Sequence, residues 1–261
     1  MSGDAVRLEI DGAIARIILN RPESLNAFND DVFVGLRRAV DEIAPSEDVR
    51  VVILTGAGER AFSAGLDLKA LAGGDVFKFA RGGQSLTSVF MRVKDIFTAV
   101  ENLPMPVIAS IHGHCLGAGV QLAAACDIRL AAEDAKFGVL ETKLGIMPDL
   151  GGTQRLPRIV GLGMARELIY TSRIVDAAEA LRIGLVEHVY PKDRLADETM
   201  ALAREIAERA PNAVQGAKRA ILATMSMPLD AGLRFESEVA AGTVKLDAFV
   251  QQGTQFARRS E

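Results

Sequence analysis

The sequence is poor in the residues that form disulfides and metal sites. Of its 261 residues, only two are cysteines and three are histidines, and tryptophan is absent. Cys115 and Cys126 lie too far apart in sequence for a CxxC motif, and two cysteines are too few for a disulfide framework. No HExxH motif occurs, and no histidine has carboxylates at metal-ligand spacing. We therefore expect no metal site, and we expect both cysteines to pack as small apolar side chains.

Long apolar runs and basic clusters are also missing. No apolar run approaches the roughly 20 residues that cross a bilayer. The first residues, MSGDAVRLEIDG, lack the positive and then apolar pattern of a secretory signal. The net charge is −4, without a basic block, which argues against nucleic-acid binding. We therefore expect a soluble cytoplasmic protein, or one of an organelle matrix, with neither a membrane nor a nucleic acid as partner.

Strand-like and helix-like segments alternate along the first three quarters of the chain. A hairpin is predicted around Asp11-Gly12, and an apolar run indicates a buried strand at Val49–Leu54. Asn29 or Asp30 can cap a helix, since the apolar residues that follow have helical spacing. Beyond residue 192 only helical patterns follow. The sequence therefore predicts an α/β domain at residues 1–192 and a helical segment at residues 193–261.

Two glycine-rich junctions each follow a predicted strand. One is Gly113–Gly119 (GHCLGAG), after the strand Pro106–Ile111, and the other lies within Thr55–Leu71. Glycines let backbone N–H groups approach a ligand, and the N-terminus of a helix presents unpaired N–H donors. Two acids, Glu141 and Asp149, follow in loop-like surroundings. An anion site lined by amides, with carboxylates nearby, is what enolate chemistry requires.

Other interpretations of these motifs were weighed. A dinucleotide site is disfavoured, because neither Tyr170 nor Tyr190 is followed by lysine four positions later and no strand-ending acid lies about 20 residues beyond the glycines. A Walker A loop is absent as well. Tight packing of helix on strand would also explain the glycines. Glu141 and Asp149, taken singly, could be solvated loop acids.

Five segments together resemble the crotonase superfamily, the enoyl-CoA hydratase/isomerase family. They are NRPESLNAF (20–28), AFSAGLDLK (61–69), PVIASIHGHCLGAGVQLAAACDIRLAAEDAKFG (106–138), GIMPDLGGTQRLPRIVG (145–161) and AEALRIGLVEHV (178–189). The resemblance implies a spiral of β-β-α turns with a helical C-terminal trimerisation segment, assembled as a homotrimer or a dimer of trimers. It also implies an acyl-CoA thioester substrate and no separate cofactor.

The resemblance assigns residues to the binding of the thioester. The oxyanion hole would be formed by the backbone N–H groups of Leu66 and Ala118. The family usually has glycine at the second position, but alanine keeps the backbone donor. Coenzyme A would lie along two segments, with contacts from Ser24, Leu25, Ala27, Ala64, Asp67 and Leu68.

The acids depart from the pattern of the family's hydratases, which have glutamates at positions 121 and 141. This chain has Gln121 and Glu141, and an amide can orient water but cannot act as a base. The family's Δ3,Δ2-enoyl-CoA isomerases have a single glutamate at position 141. Its dienoyl-CoA isomerases add an aspartate at position 149, which is Asp149 here, but also an acid at position 121. We therefore expect Glu141 and Asp149 to move protons beside Gln121, which slightly favours double-bond isomerisation.

Two other functions remain open from the sequence. Hydration of a trans-2-enoyl-CoA in fatty-acid β-oxidation would use Glu141 and Gln121 to hold the water. A non-catalytic acyl-CoA-binding protein is the third hypothesis, against which Glu141 and the two oxyanion junctions argue.

Overall fold

The computed structural model describes residues 4–73, 77–78 and 85–244. They form two compact units, one up to Ala207 and one from Glu208. The domain boundary predicted at residues 192–193 stays a prediction. The sequence also predicts a glycine-flanked connection from Gly73 to Gly83 and a last helix from Leu229 to about Val250. Most of that connection and the end of that helix lie outside the described residues.

The first unit contains ten strands and eight α-helices within the described residues. The strands are β1 (Val6–Asp11), β2 (Ile14–Leu19), β3 (Val51–Gly56), β4 (Ala61–Ser63), β5 (Val107–Ile111), β6 (His114–Leu116), β7 (Ile128–Ala132), β8 (Lys136–Gly138), β9 (Val175–Asp176) and β10 (His188–Tyr190). The helices are α1 (Asp30–Ile43), α2 (Leu68–Ala72), α3 (Leu86–Glu101), α4 (Ala118–Ala123), α5 (Gly152–Val160), α6 (Leu162–Thr171), α7 (Ala177–Arg182) and α8 (Leu195–Ala207). Short 3-10 helices lie at Pro22–Ser24 and Glu141–Leu144.

A six-stranded sheet has the order β1-β2-β3-β5-β7-β10. Strands β1 and β2 form the predicted antiparallel hairpin, and the other neighbours are parallel. The central strand β3 is apolar on both faces, as the sequence pattern predicts for a strand covered on both sides. Val52 and Leu54 join the larger core, whereas Val51 and Ile53 join a smaller core that includes Leu195 of α8.

Helices α1 and α3 cover the larger core. The side chain of Asn29 accepts a hydrogen bond from the N–H of Val32, which caps the start of α1. Three aromatic rings, those of Phe28, Phe33 and Phe97, pack with centroids 5.1–6.1 Å apart. Phe28 pairs as a parallel β-bridge with Leu66, so this cluster supports the segment that the sequence assigns to the oxyanion hole.

A second sheet has the order β4-β6-β8-β9, in which β4, β6 and β8 are parallel and β9 is antiparallel. No sequence pattern predicts these strands, because segments of two or three residues are too short for an alternating pattern to be visible. The carboxyl ends of β4, β6 and β8 lie along one edge, here called the carboxyl edge. This edge carries Glu141 and both segments that are predicted to form the oxyanion hole.

The second unit contains α9 (Pro211–Ala223) and α10 (Leu229–Thr243) among its described residues. Proline at the first position of α9 is favourable, since that position has no intrahelical donor to lose. Within this unit the side chain of Asn212 donates to the carbonyl of Thr243, and the guanidinium of Arg219 lies over the ring of Phe235. No helix described in either unit is both long enough and apolar enough to span a membrane.

Candidate active site

The carboxyl edge of the four-stranded sheet gathers three loops. The loop after β4 leads to Leu66, the turn after β6 leads to Ala118, and the turn after β8 leads to Glu141. Because parallel strands end on the same side of a sheet, residues far apart in sequence are placed next to one another there. The predicted oxyanion donors and the predicted proton carrier therefore belong to one site.

Leu66 is held with its N–H directed away from the core. The N–H of Phe28 donates to the carbonyl of Gly65 at 2.8 Å, and the N–H of Asp67 donates to the carbonyl of Phe28 at 2.9 Å. In an extended segment successive amides point to opposite sides, so the N–H of Leu66 points away from Phe28. It donates no hydrogen bond within the described residues. It is therefore free to receive a ligand oxygen.

Ala118 is the first residue of α4, and its N–H has no carbonyl partner within the helix. Gly117, which precedes it, has φ 52° and ψ −119°, a conformation that disfavours side chains. A Cβ atom added to Gly65 would lie 3.3 Å from the nitrogen of Ala118. Gly65, the residue before Leu66, therefore lies close to the second predicted donor.

A buried polar pair supports the Leu66 segment. The hydroxyl of Ser63 donates to the carbonyl of Asn26 at 2.8 Å and accepts from the N–H of Gly65 at 3.2 Å. The side chain of Asn26 donates to the carbonyls of Ala57 and Ala61 and accepts from the N–H of Arg21. Neither Asn26 nor Ser63 is among the site residues predicted from the sequence. The signal in the sequence for Asn26 is its residue type. Asparagine tolerates the left-handed backbone conformation that Asn26 adopts here, with φ 55°.

Gln121 and Glu141 form a buried pair at the centre of the site. The amide nitrogen of Gln121 donates to Oε1 of Glu141 at 2.6 Å, while Oε2 of Glu141 is buried and has no hydrogen-bond partner within the described structure. The amide oxygen of Gln121 accepts two backbone N–H groups, from Leu150 at 2.8 Å and from Gly152 at 2.9 Å. Both lone pairs of that oxygen are therefore occupied. Gln121 can orient Glu141 but has no lone pair left to accept a hydrogen bond from water.

Glu141 also lies close to the turn that carries the second predicted oxyanion donor, Ala118. A Cβ atom added to Gly117 would be 3.3 Å from Oε1 of Glu141, which places the carboxylate over the residue that precedes Ala118. A proton carrier next to an amide-lined anion site is the arrangement that stabilises an enolate while a neighbouring carbon loses its proton.

The pKa values of both carboxyl groups of the site, those of Glu141 and Asp149, are raised by burial. Burial raises the pKa of Glu141, and the negative charge of Asp149 adds to this effect, while hydrogen bonds from its own backbone and from Gln121 oppose it. Burial likewise raises the pKa of Asp149, which is half-buried. A raised pKa is a property expected of a carboxyl group that takes up and releases protons as a general acid or base.

The two predicted coenzyme A segments adjoin each other. The N–H of Ala64 donates to the carbonyl of Leu25 at 2.9 Å, and Ser24 and Ala27 lie on either side of Leu25 and Asn26 in the same turn. Leu68 is exposed at the start of α2. The structure thus brings all six predicted residues into one neighbourhood, although each role in binding stays a prediction.

Asp67 has a structural role in this neighbourhood. It caps α2 by accepting the N–H groups of Lys69 and Ala70, and its carboxylate pairs with Arg21 at 3.0 Å. Burial is the largest single influence on its pKa and raises it. The hydrogen bonds from Ala70, Arg21 and Lys69, together with the positive charge of Arg21, outweigh burial and hold the pKa below its usual value. Within the described residues, no group of three or more His, Cys, Asp or Glu side chains could hold a metal ion.

Comparison with known proteins identifies the family. The family model described as enoyl-CoA hydratase/isomerase matches residues 9–260. The chain belongs to this family. A short-chain-enoyl-CoA hydratase of Clostridium acetobutylicum is 42% identical over 233 residues, covering 89% of this chain and 87% of that protein. The chain is therefore an enzyme of the enoyl-CoA hydratase/isomerase type.

Solved structures of the family have the same fold. An enoyl-CoA hydratase of Bacillus anthracis superposes with a TM-score of 0.89 at 38% identity, covering 97% of this chain and 96% of that one. A structure described as a monofunctional enoyl-CoA isomerase of M. smegmatis has a TM-score of 0.74 at 33% identity, covering 88% of this chain and 99% of that one. The crotonase fold predicted from the sequence is confirmed. The similar proteins include both a hydratase and an isomerase, so the family alone does not select the reaction.

Proposed function

We propose that this enzyme moves the double bond of an unsaturated acyl-CoA thioester through an enolate intermediate. The observation that carries the proposal is the hydrogen bonding of Gln121. Both lone pairs of its amide oxygen are occupied and its amide nitrogen donates to Glu141, so Glu141 has one oxygen without a partner in the described structure and no second glutamate beside it. An isomerase needs only to relocate a proton. A hydratase also needs an activated water molecule.

The backbone donors would stabilise the charge that develops on the thioester oxygen. When a proton leaves the α-carbon of a 3-enoyl-CoA, electrons move onto this oxygen, and the N–H groups of Leu66 and Ala118 would receive it. Removing one such donor in comparable sites costs about 3 kcal/mol in transition-state energy. The donors are backbone groups held by Phe28 and by α4, so they need not reorganise during the reaction.

Glu141 would carry the proton. Its Oε2 accepts the proton from the α-carbon, which leaves a dienolate delocalised over the thioester and the former double bond. Return of a proton to the γ-carbon completes the shift, and the double bond then lies between the α- and β-carbons. Asp149 would serve as a second proton carrier where the γ-carbon, or a more distant carbon of a dienoyl-CoA, lies out of reach of Glu141.

Substrate binding would use the two adjacent segments around Leu25 and Ala64. The family and the Clostridium protein are both named for reactions of enoyl-CoA, which is a coenzyme A thioester. Exposed Leu68 and the turn at Ser24, Leu25 and Ala27 would form the coenzyme A path. We also propose that the helical C-terminal segment assembles the chain into a homotrimer or a dimer of trimers, as the family resemblance implies.

Hydration of a trans-2-enoyl-CoA is the second candidate. The specific observation in its favour is the 42% identity to a short-chain-enoyl-CoA hydratase. In that reaction Glu141 would deprotonate the water, and the remaining N–H of Gln121 would help to orient it. This route lacks a second carboxylate at position 121, which is why isomerisation is preferred.

The test is a direct comparison of substrates. Purified protein is incubated separately with a 3-enoyl-CoA, a 3,5-dienoyl-CoA and crotonyl-CoA, and the absorbance of the conjugated thioester is followed. Isomerisation predicts that conjugation appears with one of the first two substrates and that crotonyl-CoA is consumed slowly. Fast hydration of crotonyl-CoA without isomerisation would overturn the proposal. Glu141→Gln is the control that separates enzymatic from background rates.

A further inference from the structure

Arg155 makes contacts that the mechanism above does not use. It lies on α5, is buried, and forms a two-point pair with Glu101 of α3, with its Nε 2.8 Å from Oε1 and its Nη2 2.7 Å from Oε2. The same Nη2 donates to the hydroxyl of Thr98 at 3.1 Å. A guanidinium held at two points on one carboxylate has a defined orientation, which a single ammonium would lack.

The third guanidinium nitrogen of Arg155, Nη1, contacts the segment that carries Asp149. Its Nη1 donates to the carbonyl of Leu150 at 3.3 Å, while the N–H of Leu150 donates to the amide oxygen of Gln121 at 2.8 Å. The backbone of Leu150 is therefore held from both sides, by Arg155 at its carbonyl and by Gln121 at its nitrogen. Asp149 is the residue immediately before Leu150.

The two glycines that follow fit closely between the same side chains. A Cβ atom on Gly151 would lie 1.9 Å from Nη1 of Arg155, and one on Gly152 would lie 2.9 Å from Oε1 of Gln121. Gly151 also has φ 105°, a conformation that side chains rarely adopt. The segment from Asp149 to Gly152 is thus enclosed between the guanidinium on one side and the amide on the other.

We infer that Arg155, oriented by Glu101, is a positioning residue that fixes Asp149 relative to Glu141 through the backbone of Leu150. Because Glu101 balances the charge of Arg155, the effect on Asp149 is one of geometry. The inference rests on the proposed role of Asp149 in proton transfer. It extends the site from the carboxyl edge to α3.

A double-mutant cycle tests the inference. Arg155→Lys keeps the charge but loses the planar guanidinium that makes two hydrogen bonds to Glu101. It should lower kcat for 3-enoyl-CoA or dienoyl-CoA isomerisation about 10- to 100-fold, because small displacements of a reacting group have effects of that size. KM should stay unchanged. In an Asp149→Asn background the same substitution should have less than about a threefold effect, because residues that act as one unit are not additive. Equal effects in both backgrounds would overturn the inference.

Two controls address stability. Arg158→Lys changes an exposed arginine of the same helix and should leave kcat unaltered. Glu101→Gln removes the carboxylate that orients Arg155 without changing Arg155 itself. It should lower kcat, as Arg155→Lys does, and its effect should be smaller in the Asp149→Asn background. Melting temperatures of all variants are compared. Loss of activity that follows the melting temperature alone, with KM rising in parallel, would indicate a merely structural role.

A readout without turnover separates this inference from the proposed function. The carboxyl band of Asp149 is identified by infrared difference spectroscopy between the wild type and Asp149→Asn, and its pH midpoint is measured in Arg155→Lys. Release of the segment should admit water, so the midpoint should fall toward the ordinary aspartate value. An unchanged midpoint would overturn the positioning role, even if the wild type proved to be a hydratase. A shifted midpoint in an enzyme that only hydrates would refute the proposed reaction but retain the positioning role.

Discussion

Replacing Gln121 with glutamate is the most informative change to this site. The new carboxylate would take the position of an amide whose nitrogen lies 2.6 Å from Oε1 of Glu141, and one of its oxygens could still accept the N–H groups of Leu150 and Gly152. The geometry of the site would thus be retained while its chemistry changes. Glu141 would lose a hydrogen-bond donor and gain an acidic neighbour.

The size of the electrostatic effect follows from the distance. Two charges about 4 Å apart repel by about 4 kcal/mol at an effective dielectric constant of about 20. That corresponds to about three pKa units for the second ionisation of the pair. Since burial already raises the pKa of Glu141, repulsion between the two carboxylates should favour a pair that shares one proton. An O–H···O bond would then replace the present N–H···O bond, and the fold should tolerate the change.

Gln121→Glu should therefore convert the site toward hydration. A second acid–base group contributes about 10²- to 10⁴-fold to such reactions, so we expect crotonyl-CoA hydration to rise at least about 100-fold. Its pH dependence should be bell-shaped, because one carboxyl must be ionised and the other protonated. Isomerisation should fall.

The measurement is the initial rate of loss of crotonyl-CoA absorbance between pH 5 and pH 9, compared with 3-enoyl-CoA isomerisation by the same preparation. Gln154→Glu is the matched control, since it makes the same change of charge at an exposed position on α5. A folded Gln121→Glu enzyme that hydrates no faster than the wild type would refute the assignment of Gln121 as the group that limits hydration.

Three further predictions concern the same site. Glu141→Gln should lower kcat about 10³-fold with little change in KM. Burial raises the pKa of Glu141 in the folded protein. The folded state therefore loses stability as the pH rises from the pKa of Glu141 in the unfolded chain to its raised pKa in the folded protein. The variant should therefore melt higher than the wild type above that window, and the difference should vanish below about pH 4; a more stable wild type at pH 8 would contradict this. Gly117→Ala should lower both melting temperature and kcat, since the backbone strain alone costs about 1–3 kcal/mol and the added Cβ would lie 3.3 Å from Oε1 of Glu141. Gly163→Ala, where nothing lies within 4 Å of an added Cβ, is the control. Ser63→Ala should lower kcat about tenfold through displacement of the Leu66 donor, and unaltered kinetics in a stable variant would argue against the support proposed for that segment.

Local elements were predictable where a physical signal lies within a few neighbouring residues. The hairpin at Asp11-Gly12 and the cap at Asn29 are examples, since turn and cap chemistry depend on side chains only one to three positions away. The central strand was predicted at Val49–Leu54 and is observed at Val51–Gly56, because a run of β-branched and apolar residues specifies a strand covered on both faces. The short strands β4, β6 and β8 had no such signal. They form because each pairs with the next.

The sequence by itself determined the class of fold, the two glycine-rich junctions and the identity of the acids, because these depend on local propensity and on motifs shared with a family. Only the tertiary structure decided how the acids act together. The pairing of β4, β6 and β8 places Leu66, Ala118 and Glu141 at one edge. The folding of the Leu150 segment onto α4 occupies both lone pairs of Gln121. Hydrogen bonds between residues some 30 positions apart have no signature in local sequence, since they depend on how the sheet brings distant loops together.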